Sequence, residues 1–305
     1  MKICITGGAG FIGTNFIKFL RSKYFNLKIV VIDKLTYAGS KENLDGLGVE
    51  LIEKDICDLQ VSDFDVFDAV YHFAAESHVD RSILSPHIFL RSNIIGTVNL
   101  LALCKEMGVG KFIYISTDEV YGSVNCPSRE TDILNPSSAY SASKVSAECF
   151  CKAYYKTFNI PVIITRSSNN FGPHQHSEKL VPVIITNAIN DKKIPIYGTG
   201  GNIRDWIYVT DNCEGIEFVG QKGSVGEIYN VGGGRQLTNI EIANAILDIL
   251  GKPKTLIEFV ADRLGHDAEY SLDCWKVNRL GWKPKYDFGK ALETTIGWYK
   301  EKWKN

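Results

Sequence analysis

Two adjacent carboxylates stand in "STDEVYG" (116–122), directly after the apolar run "KFIYIS" (111–116). Asp118 and Glu119 read either as ordinary charge on a solvated loop or as an acid–base pair. The run before them looks like a buried strand, and parallel sheets keep their ligands at the carboxyl ends of their strands. As a chemical pair they must titrate apart, because two close carboxylates disfavour joint ionisation. Adjacent residues of an extended chain point to opposite faces. Both therefore reach one substrate only if the chain bends near 117–120.

A second pattern lies in "AYSASKVSAE", where Tyr140 and Lys144 are four residues apart and share a helix face. An ammonium beside a phenol favours the phenolate and lowers its pKa. Tyr140 then becomes a base for a sugar hydroxyl, taking its proton as a hydride leaves for a nicotinamide. The spacing alone fits a structural pair as well. A third pattern, "TGGAGFIG", holds Gly8-x-Gly10-x-x-Gly13 between a strand and a helix. Glycines there permit a tight turn and close approach of a pyrophosphate, which the helix amino terminus receives. Asp33 ends the next strand and is placed to accept from the two ribose hydroxyls of an adenosine. A carboxylate repels a 2′-phosphate, so NAD is favoured over NADP, with Lys34 next door as a counterweight. "KDICD" puts Asp55 and Ile56 where an adenine could lie. "FAAES" offers small residues where a cofactor passes, though strand-end packing explains it equally.

The elements that must position these residues alternate. "KICIT" (2–6), "KIVVID" (28–33), "VELIE" (49–53), "AVYHFAA" (69–75), "KFIYIS" and "PVIITR" (161–166) read as strands. Segments 11–24, 86–107 and 139–158 read as helices. This implies an α/β fold, a doubly wound parallel (Rossmann) sheet, with a smaller C-terminal α+β substrate lobe. The expected division is 1–175 for the dinucleotide domain, with return segments near 207–233, and 176–305 for the lobe. Within the lobe, 178–190, 238–250 and 287–303 read as helices.

Composition fits a soluble globular chain: 305 residues, 45% hydrophobic, 23% charged, formal net charge -1. That balance points away from nucleic acid and acidic membranes. No apolar stretch is expected to span a membrane, and "MKICITGGAG" reads as a strand and turn rather than a signal peptide. Eight scattered cysteines without a CxxC pair read as reduced thiols of a cytoplasmic protein. No histidine spacing suggests a metal site.

Together the dinucleotide motif, the Ser/Thr ending a strand and YxxxK resemble the extended short-chain dehydrogenase/reductase family, whose members act on nucleotide sugars. "DKLTYAG" (33–39), "AAESHVDRSI" (74–83), "STDEVYG", "YSASK", "SNNFGP" (168–173), "EKLVP" (178–182), "IRDWIYV" (203–209) and "DRLGHD" (262–267) are similar to its dTDP-glucose 4,6-dehydratase branch. Phe171, where tyrosine is usual, and "HQHSEKL", where "PEKL" is usual, depart from the pattern. The resemblance implies that Thr117 holds a C4 hydroxyl, Tyr140 deprotonates it, Lys144 bonds the nicotinamide ribose, Glu119 removes the C5 proton and Asp118 protonates the leaving C6 hydroxyl. It implies NAD along Gly7, Gly10, Phe11, Ile12, Gly13, Asp33, Lys34, Leu35, Thr36, Asp55, Ile56, Phe73, Ala74, Ala75, Ser77, Ser92, Tyr140, Lys144 and Asn170. It implies the nucleotide sugar against Ser77, Thr117, Asn169, Glu178, Lys179, Leu180, Arg204, Asn239, Arg263 and His266. For Arg204 the alternative is a salt bridge to Asp205; for His266, a capping or surface role. Family members pair through helices 86–107 and 139–158, so a homodimer is expected, with Val145, Cys149 and Tyr154 facing the partner. A related dehydratase of another sugar nucleotide, a nucleotide-sugar 4-epimerase or decarboxylase, and a cofactor-sensing binding module are the rival readings. An epimerase has no need of Asp118 and Glu119 as an acid–base pair.

Overall fold

The computed structural model describes residues 1–302; residue 303 of the expected last helix, and the two residues after it, lie outside the described residues. Runs rich in Val, Ile and aromatic residues form the strands, as suits surfaces packed on both faces. They are β1 (Lys2–Thr6), β2 (Lys28–Asp33), β3 (Glu50–Glu53), β4 (Ala69–His72), β5 (Phe112–Thr117), β6 (Val162–Ser167), β7 (Asn169–Phe171), β8 (Ile194–Tyr197), β9 (Ile203–Tyr208), β10 (Ile228–Val231), β11 (Gln236–Thr238) and β12 (Ile257–Val260). Seven of them form a parallel sheet in the order β10-β6-β5-β4-β1-β2-β3. The chain runs outward from β1 to β3 and then returns to β4 beside β1. That reversal opens a crevice at the carboxyl ends of β1 and β4. β11-β9-β7 and β12-β8 make two small sheets.

The helices are α1 (Phe11–Lys23), α2 (Val79–Leu84), α3 (Pro86–Phe89), α4 (Gly96–Met107), α5 (Ala139–Phe158), α6 (Leu180–Ile189), α7 (Val209–Lys222), α8 (Asn239–Leu250), α9 (Trp275–Leu280) and α10 (Phe288–Lys302). One face of the main sheet packs against α4 and α5 through Leu100, Leu101, Cys104, Ala147 and Cys151. The other packs against α1 and α7 through Phe16, Ile17, Cys213 and Ile216. A separate apolar cluster joins α6, α8 and α10 (Ile184, Ile185, Ile242, Ile246, Leu292, Ile296).

Several expectations change. The strand expected over 69–75 stops at His72; Phe73–Ser77 leaves the sheet to line the crevice. The helix expected over 86–107 is helical throughout but widens into a π-helical stretch at Leu90–Ile95. Its 22 residues are long and apolar enough to cross a membrane by length and composition, contrary to expectation, and half of its most apolar 18-residue window is buried in the fold. Leu100, Leu101, Leu103 and Cys104 serve the contact with the sheet and α5, while Ile88, Leu90 and Ile95 stay exposed. Of the three residues expected to face a partner, Cys149 is exposed. Val145 packs beside Val120, Tyr121 and Leu272, and Tyr154 lies against the core and the Phe158 ring. All eight cysteines are free thiols.

Candidate active site

The glycine turn after β1 forms one wall of the crevice. Gly7, rather than Gly8, takes the left-handed backbone, with φ 71°, and a Cβ there would lie 2.6 Å from the Ala74 nitrogen. Gly8 packs on Val31, and a Cβ at Gly13 would come within 2.3 Å of the Gly7 carbonyl oxygen. Gly13 therefore lets α1 start hard against the turn, and the working spacing is Gly7, Gly10, Gly13. At Gly10 a Cβ would meet no protein atom closer than 3.4 Å, so that face is open to the crevice. Asp33 closes this wall, its carboxylate accepting from the Ala9 N–H (3.0 Å) and the Leu35 N–H (2.9 Å). Burial raises its pKa against the pull of those bonds. Leu35 itself has φ 53°; its side chain packs with the α1 face of the core and does not line the crevice. Lys34 Nζ lies 3.5 Å from Asp55 Oδ2, so its charge is engaged beside Asp33. Asp55 also caps the short turn Ile56–Asp58 through the Cys57 N–H.

The second wall is the carboxyl end of β5. The chain bends there, with Asp118–Tyr121 forming a single 3-10 turn capped by the Thr117 hydroxyl, which accepts from the Glu119 N–H (3.3 Å). Thr117 also donates to Asp118 Oδ1 (3.2 Å), while Asp118 Oδ2 is buried without a hydrogen-bond partner. The two carboxyls have different surroundings. Burial, then the charges of Glu119 and Asp205, pushes Asp118 well above the usual carboxylate range. Burial also raises Glu119, but Lys179, Arg263 and Arg204 pull it back. Asp118 is thus the better proton donor and Glu119 the better base.

Helix α5 places Tyr140 and Lys144 on the same cleft, its first turn fixed by a capping box between Ser138 and Ser141. The expected lowering of the phenol pKa by Lys144 is absent. Burial, followed by the charge of Glu119, pushes the Tyr140 phenol up, and a hydrogen bond with Thr117 works against that shift. Lys144 instead donates to the Ile115 carbonyl (2.6 Å) and sits over the Tyr114 ring. Burial brings its own pKa down to about 8.

Gly7, Gly10–Gly13, Asp33, Lys34, Thr36, Asp55, Ile56, Phe73–Ala75, Ser77, Ser92, Thr117–Glu119, Tyr140, Lys144, Asn169, Asn170, Glu178 and Lys179 all line this one crevice. Leu35, Leu180, Arg204, Asn239, Arg263 and His266 do not. Arg204 and Arg263 still act on Glu119 through their charge, and both act on His266. Arg204 is not paired with Asp205: its guanidinium donates to the Ile203 and Asp267 carbonyls (2.7 and 2.9 Å). Successive strand residues point apart, and Asp205 accepts instead from the Arg235 N–H (3.0 Å). Arg263 reaches Asp80 at 3.8 Å, and its Nε is buried without a partner. His266 Nδ1 lies 2.7 Å from Asp262 Oδ1. Asn239 opens α8, its N–H bonded to the Asn202 carbonyl. Glu178 faces Arg81 at 3.1 Å, and Lys179 donates to the Ser77 carbonyl (2.7 Å).

Sequence reasoning passed over Glu76, Ser167, Ser168, Gln175 and His176, which also line the crevice. Each lies within two residues of a named motif position, and that adjacency was the available signal. Ser116, Ser167 and Ser168 hydroxyls, the side-chain oxygens of Asn169, Asn170 and Gln175, and His176 Nδ1 are buried without hydrogen-bond partners. Folded proteins seldom leave so many polar atoms unmatched in one place. A long polar ligand running from the glycine turn to Tyr140 would satisfy them, as a dinucleotide does.

The chain matches the family model described as GDP-mannose 4,6 dehydratase over residues 4–295. The chain belongs to this family. A low-salt glycan biosynthesis protein of Haloferax volcanii is 44% identical, with 98% of each chain covered. A dTDP-glucose 4,6-dehydratase of Streptomyces antibioticus is 43% identical over 99% of this chain and 93% of its own. The crystal structure of a dTDP-glucose 4,6-dehydratase from Streptomyces venezuelae with NAD bound superposes with a TM-score of 0.96. It shares 43% identity and covers 99% of this chain and 97% of its own. The family assignment agrees with the fold and with the resemblance carried by the motifs.

Proposed function

We propose that the chain converts dTDP-glucose to the 4-keto-6-deoxy sugar nucleotide by elimination of water, with NAD held throughout the turnover. The observation that carries this reading is the bent turn at Asp118–Tyr121. It presents a buried, unpartnered carboxyl oxygen of Asp118 and a cation-faced Glu119 in the crevice that also holds Thr117 and Tyr140. NAD, when bound, accepts the hydrogen leaving C4 and gives it back at C6. Gly7, Gly10 and Gly13 would hold its pyrophosphate, Asp33 its adenosine ribose, and Lys144 the nicotinamide side.

Thr117, whose hydrogen bond works against the rise of the Tyr140 phenol, orients the C4 hydroxyl, and Tyr140 takes its proton as the phenolate, the form that the positive charge of a bound nicotinamide would favour. The resulting C4 ketone acidifies the C5 proton, which Glu119 removes. Asp118 gives its proton to the C6 oxygen, water departs, and the C5–C6 alkene receives hydrogen at C6 and a proton at C5. The carboxyl pair favours dehydration over epimerisation, since inverting C4 breaks no C–O bond. The relatives named for dTDP-glucose favour the thymidine nucleotide over other sugar nucleotides. Arg204 and Arg263 supply cations for a diphosphate, with Glu178, Lys179, Leu180, Asn239 and His266 around them.

The test is incubation of the purified chain with dTDP-glucose or UDP-glucose and mass measurement of the product, without added NAD. Loss of one water from dTDP-glucose is expected. Unchanged mass with an inverted C4 would overturn the reading in favour of an epimerase, and preference for UDP-glucose would change the substrate. The division into a dinucleotide domain and a substrate lobe at about 175 belongs to the same proposal, as does a cytoplasmic location. So does a homodimer through helices 86–107 and 139–158, where Ile88, Leu90, Ile95, Phe150 and Phe158 are exposed apolar residues. Sedimentation velocity tests it, a monomer overturning the pairing.

A further inference from the structure

A buried ion pair joins the two segments that carry the candidate chemistry. Glu148 stands four residues beyond Lys144 and eight beyond Tyr140, on the same stripe of α5. It is 0% exposed, and its partner Arg166 is 1% exposed. The contact is bidentate, with Arg166 Nε donating to Glu148 Oε1 at 3.0 Å and Nη2 to Oε2 at 2.6 Å. The remaining arm of the guanidinium, Nη1, donates to the Tyr121 hydroxyl at 2.8 Å. That hydroxyl in turn donates to Asn230 Oδ1, also at 2.8 Å. Tyr121 is the last residue of the 3-10 turn that begins at Asp118. Arg166 pairs in register with Ser116, directly beneath that turn.

Stability alone does not account for this arrangement. Desolvating two charges offsets most of their attraction, and well-packed apolar residues of similar volume often serve a core as well or better. What the pair provides that apolar packing cannot is direction: the planar guanidinium fixes the orientation of the Glu148 carboxylate, the Tyr121 phenol and the Glu130 carbonyl (3.3 Å) together. Among the described residues, Glu148, Arg166 and Tyr121 form a hydrogen-bonded path from the Tyr140–Lys144 helix to the Asp118–Glu119 turn.

We propose that Glu148, Arg166 and Tyr121 are positioning residues that hold the Asp118–Glu119 turn against α5, so that elimination depends on them more than C4 oxidation does. This rests on the dehydratase reading above. The unequal dependence follows from the connectivity. Tyr140 and Lys144 sit on α5 itself and keep their places when the Tyr121 hydroxyl is removed. Asp118 and Glu119 sit on the turn that this hydroxyl ties down.

The test uses full-length chain and dTDP-glucose carrying deuterium at C4 or at C5. Tyr121→Phe removes one oxygen and leaves the ion pair in place. It is expected to lower kcat about tenfold, with KM within about twofold, as small misplacements of catalytic groups do. The C5 deuterium effect on kcat should rise and the C4 effect should fall toward unity. A Tyr121→Phe chain matching the parent, or one losing rate with both isotope effects unchanged, overturns the positioning role. The double variant Glu148→Leu/Arg166→Met guards against a folding artefact. It is expected to melt at or near the parental temperature yet lose at least about tenfold in kcat, and full activity in it overturns the proposal. A parent chain that releases no water from dTDP-glucose overturns the dehydratase reading itself, which distinguishes the two failures.

Discussion

Asp118 and Glu119 are neighbours in the chain but not in environment. Asp118 faces Asp205 and Glu119, whereas Glu119 faces Lys179 and Arg263. Glu119→Gln should therefore stop exchange of the C5 proton with solvent deuterium while leaving C4 oxidation measurable in a single turnover. The expected loss in kcat is about 10²- to 10⁴-fold, the range for removing a general base. Exchange that persists in Glu119→Gln assigns the base elsewhere. The same surroundings set the pH dependence. Glu119 works ionised and its pKa is raised by burial, so kcat falls as pH drops through that raised value. The acid limb should lie above the ordinary glutamate value of about 4.3. Lys144, brought down to about 8, gives an alkaline limb near that pH if its ammonium is needed. An acid limb at or below the ordinary glutamate value would contradict the assignment of Glu119. The pair was legible in the sequence because it follows an apolar strand. The separation of its two pKa values was not, because Asp205, Lys179 and Arg263 come from distant parts of the chain. The presumed action of Lys144 on Tyr140 failed for a related reason. Helical spacing gives a shared face, but the lysine head donates to the Ile115 carbonyl at the end of β5 instead.

At the level of elements, short apolar runs and helical periodicity recovered β1, β2, β5, β6 and α5 nearly to their ends. They could not show the π-helical widening at Leu90–Ile95, where the sequence LRSNII carries no proline or glycine to mark a change of helix type. Nor could they show three-residue strands such as β7 or β11, which exist only through their pairing with β9. The glycine turn before α1 shows a finer limit. Three glycines were legible, yet which one carries the left-handed backbone depends on the loop from Phe73 to Ala74 that presses on Gly7. Two substitutions separate their roles. Gly13→Ala places a methyl 2.3 Å from the Gly7 carbonyl oxygen, so the turn must open, at a cost of about 1–3 kcal/mol for overpacking. Gly10 has φ -81° and ψ 177°, which alanine adopts freely, and its methyl would meet no protein atom within 3.4 Å. Gly10→Ala should keep the parental melting temperature and weaken NAD binding about tenfold, read by a nicotinamide titration, because the methyl occupies the pyrophosphate side of the turn. Equal melting temperatures for both variants, or undiminished NAD binding by Gly10→Ala, would contradict this division.

Across the whole molecule, the crevice depends on strands that are consecutive in space but not in sequence. β10 joins β6 only after the chain has built α6, β8, β9 and α7. A parallel sheet was legible, but this edge strand could be read only as a possible return. The reversal between β1 and β4 is also where a buried titratable group couples the core to the crevice. His72 ends β4 and is 1% exposed. Its Nδ1 lies 2.6 Å from the Thr6 hydroxyl and its Nε2 2.9 Å from the Thr97 hydroxyl. Thr97 donates to the Asn93 carbonyl, so its oxygen accepts from His72 Nε2–H. Thr6 accepts from the Ala74 N–H and donates to Nδ1. The network is thus complete with a neutral ring. Burial, then the nearby Lys144 charge, brings the His72 pKa down to about 3. A histidine whose pKa is lowered by folding contributes its full stability above its unfolded value of about 6.5 and loses it as pH falls below that value. Between pH 7 and pH 5 the loss is about 2 kcal/mol by linkage. His72→Gln keeps a donor and an acceptor between the two threonines and cannot take up a proton. Urea unfolding of parent and variant at both pH values should therefore show a fall in stability that is about 2 kcal/mol smaller in His72→Gln. Comparing the difference between the two chains cancels groups of opposite sign, such as Asp205, whose pKa burial raises to about 6. If parent and variant lose stability in parallel, His72 takes up its proton as readily in the folded state as in the unfolded one, and the Thr6–His72–Thr97 network cannot hold the neutral tautomer that its hydrogen bonds require.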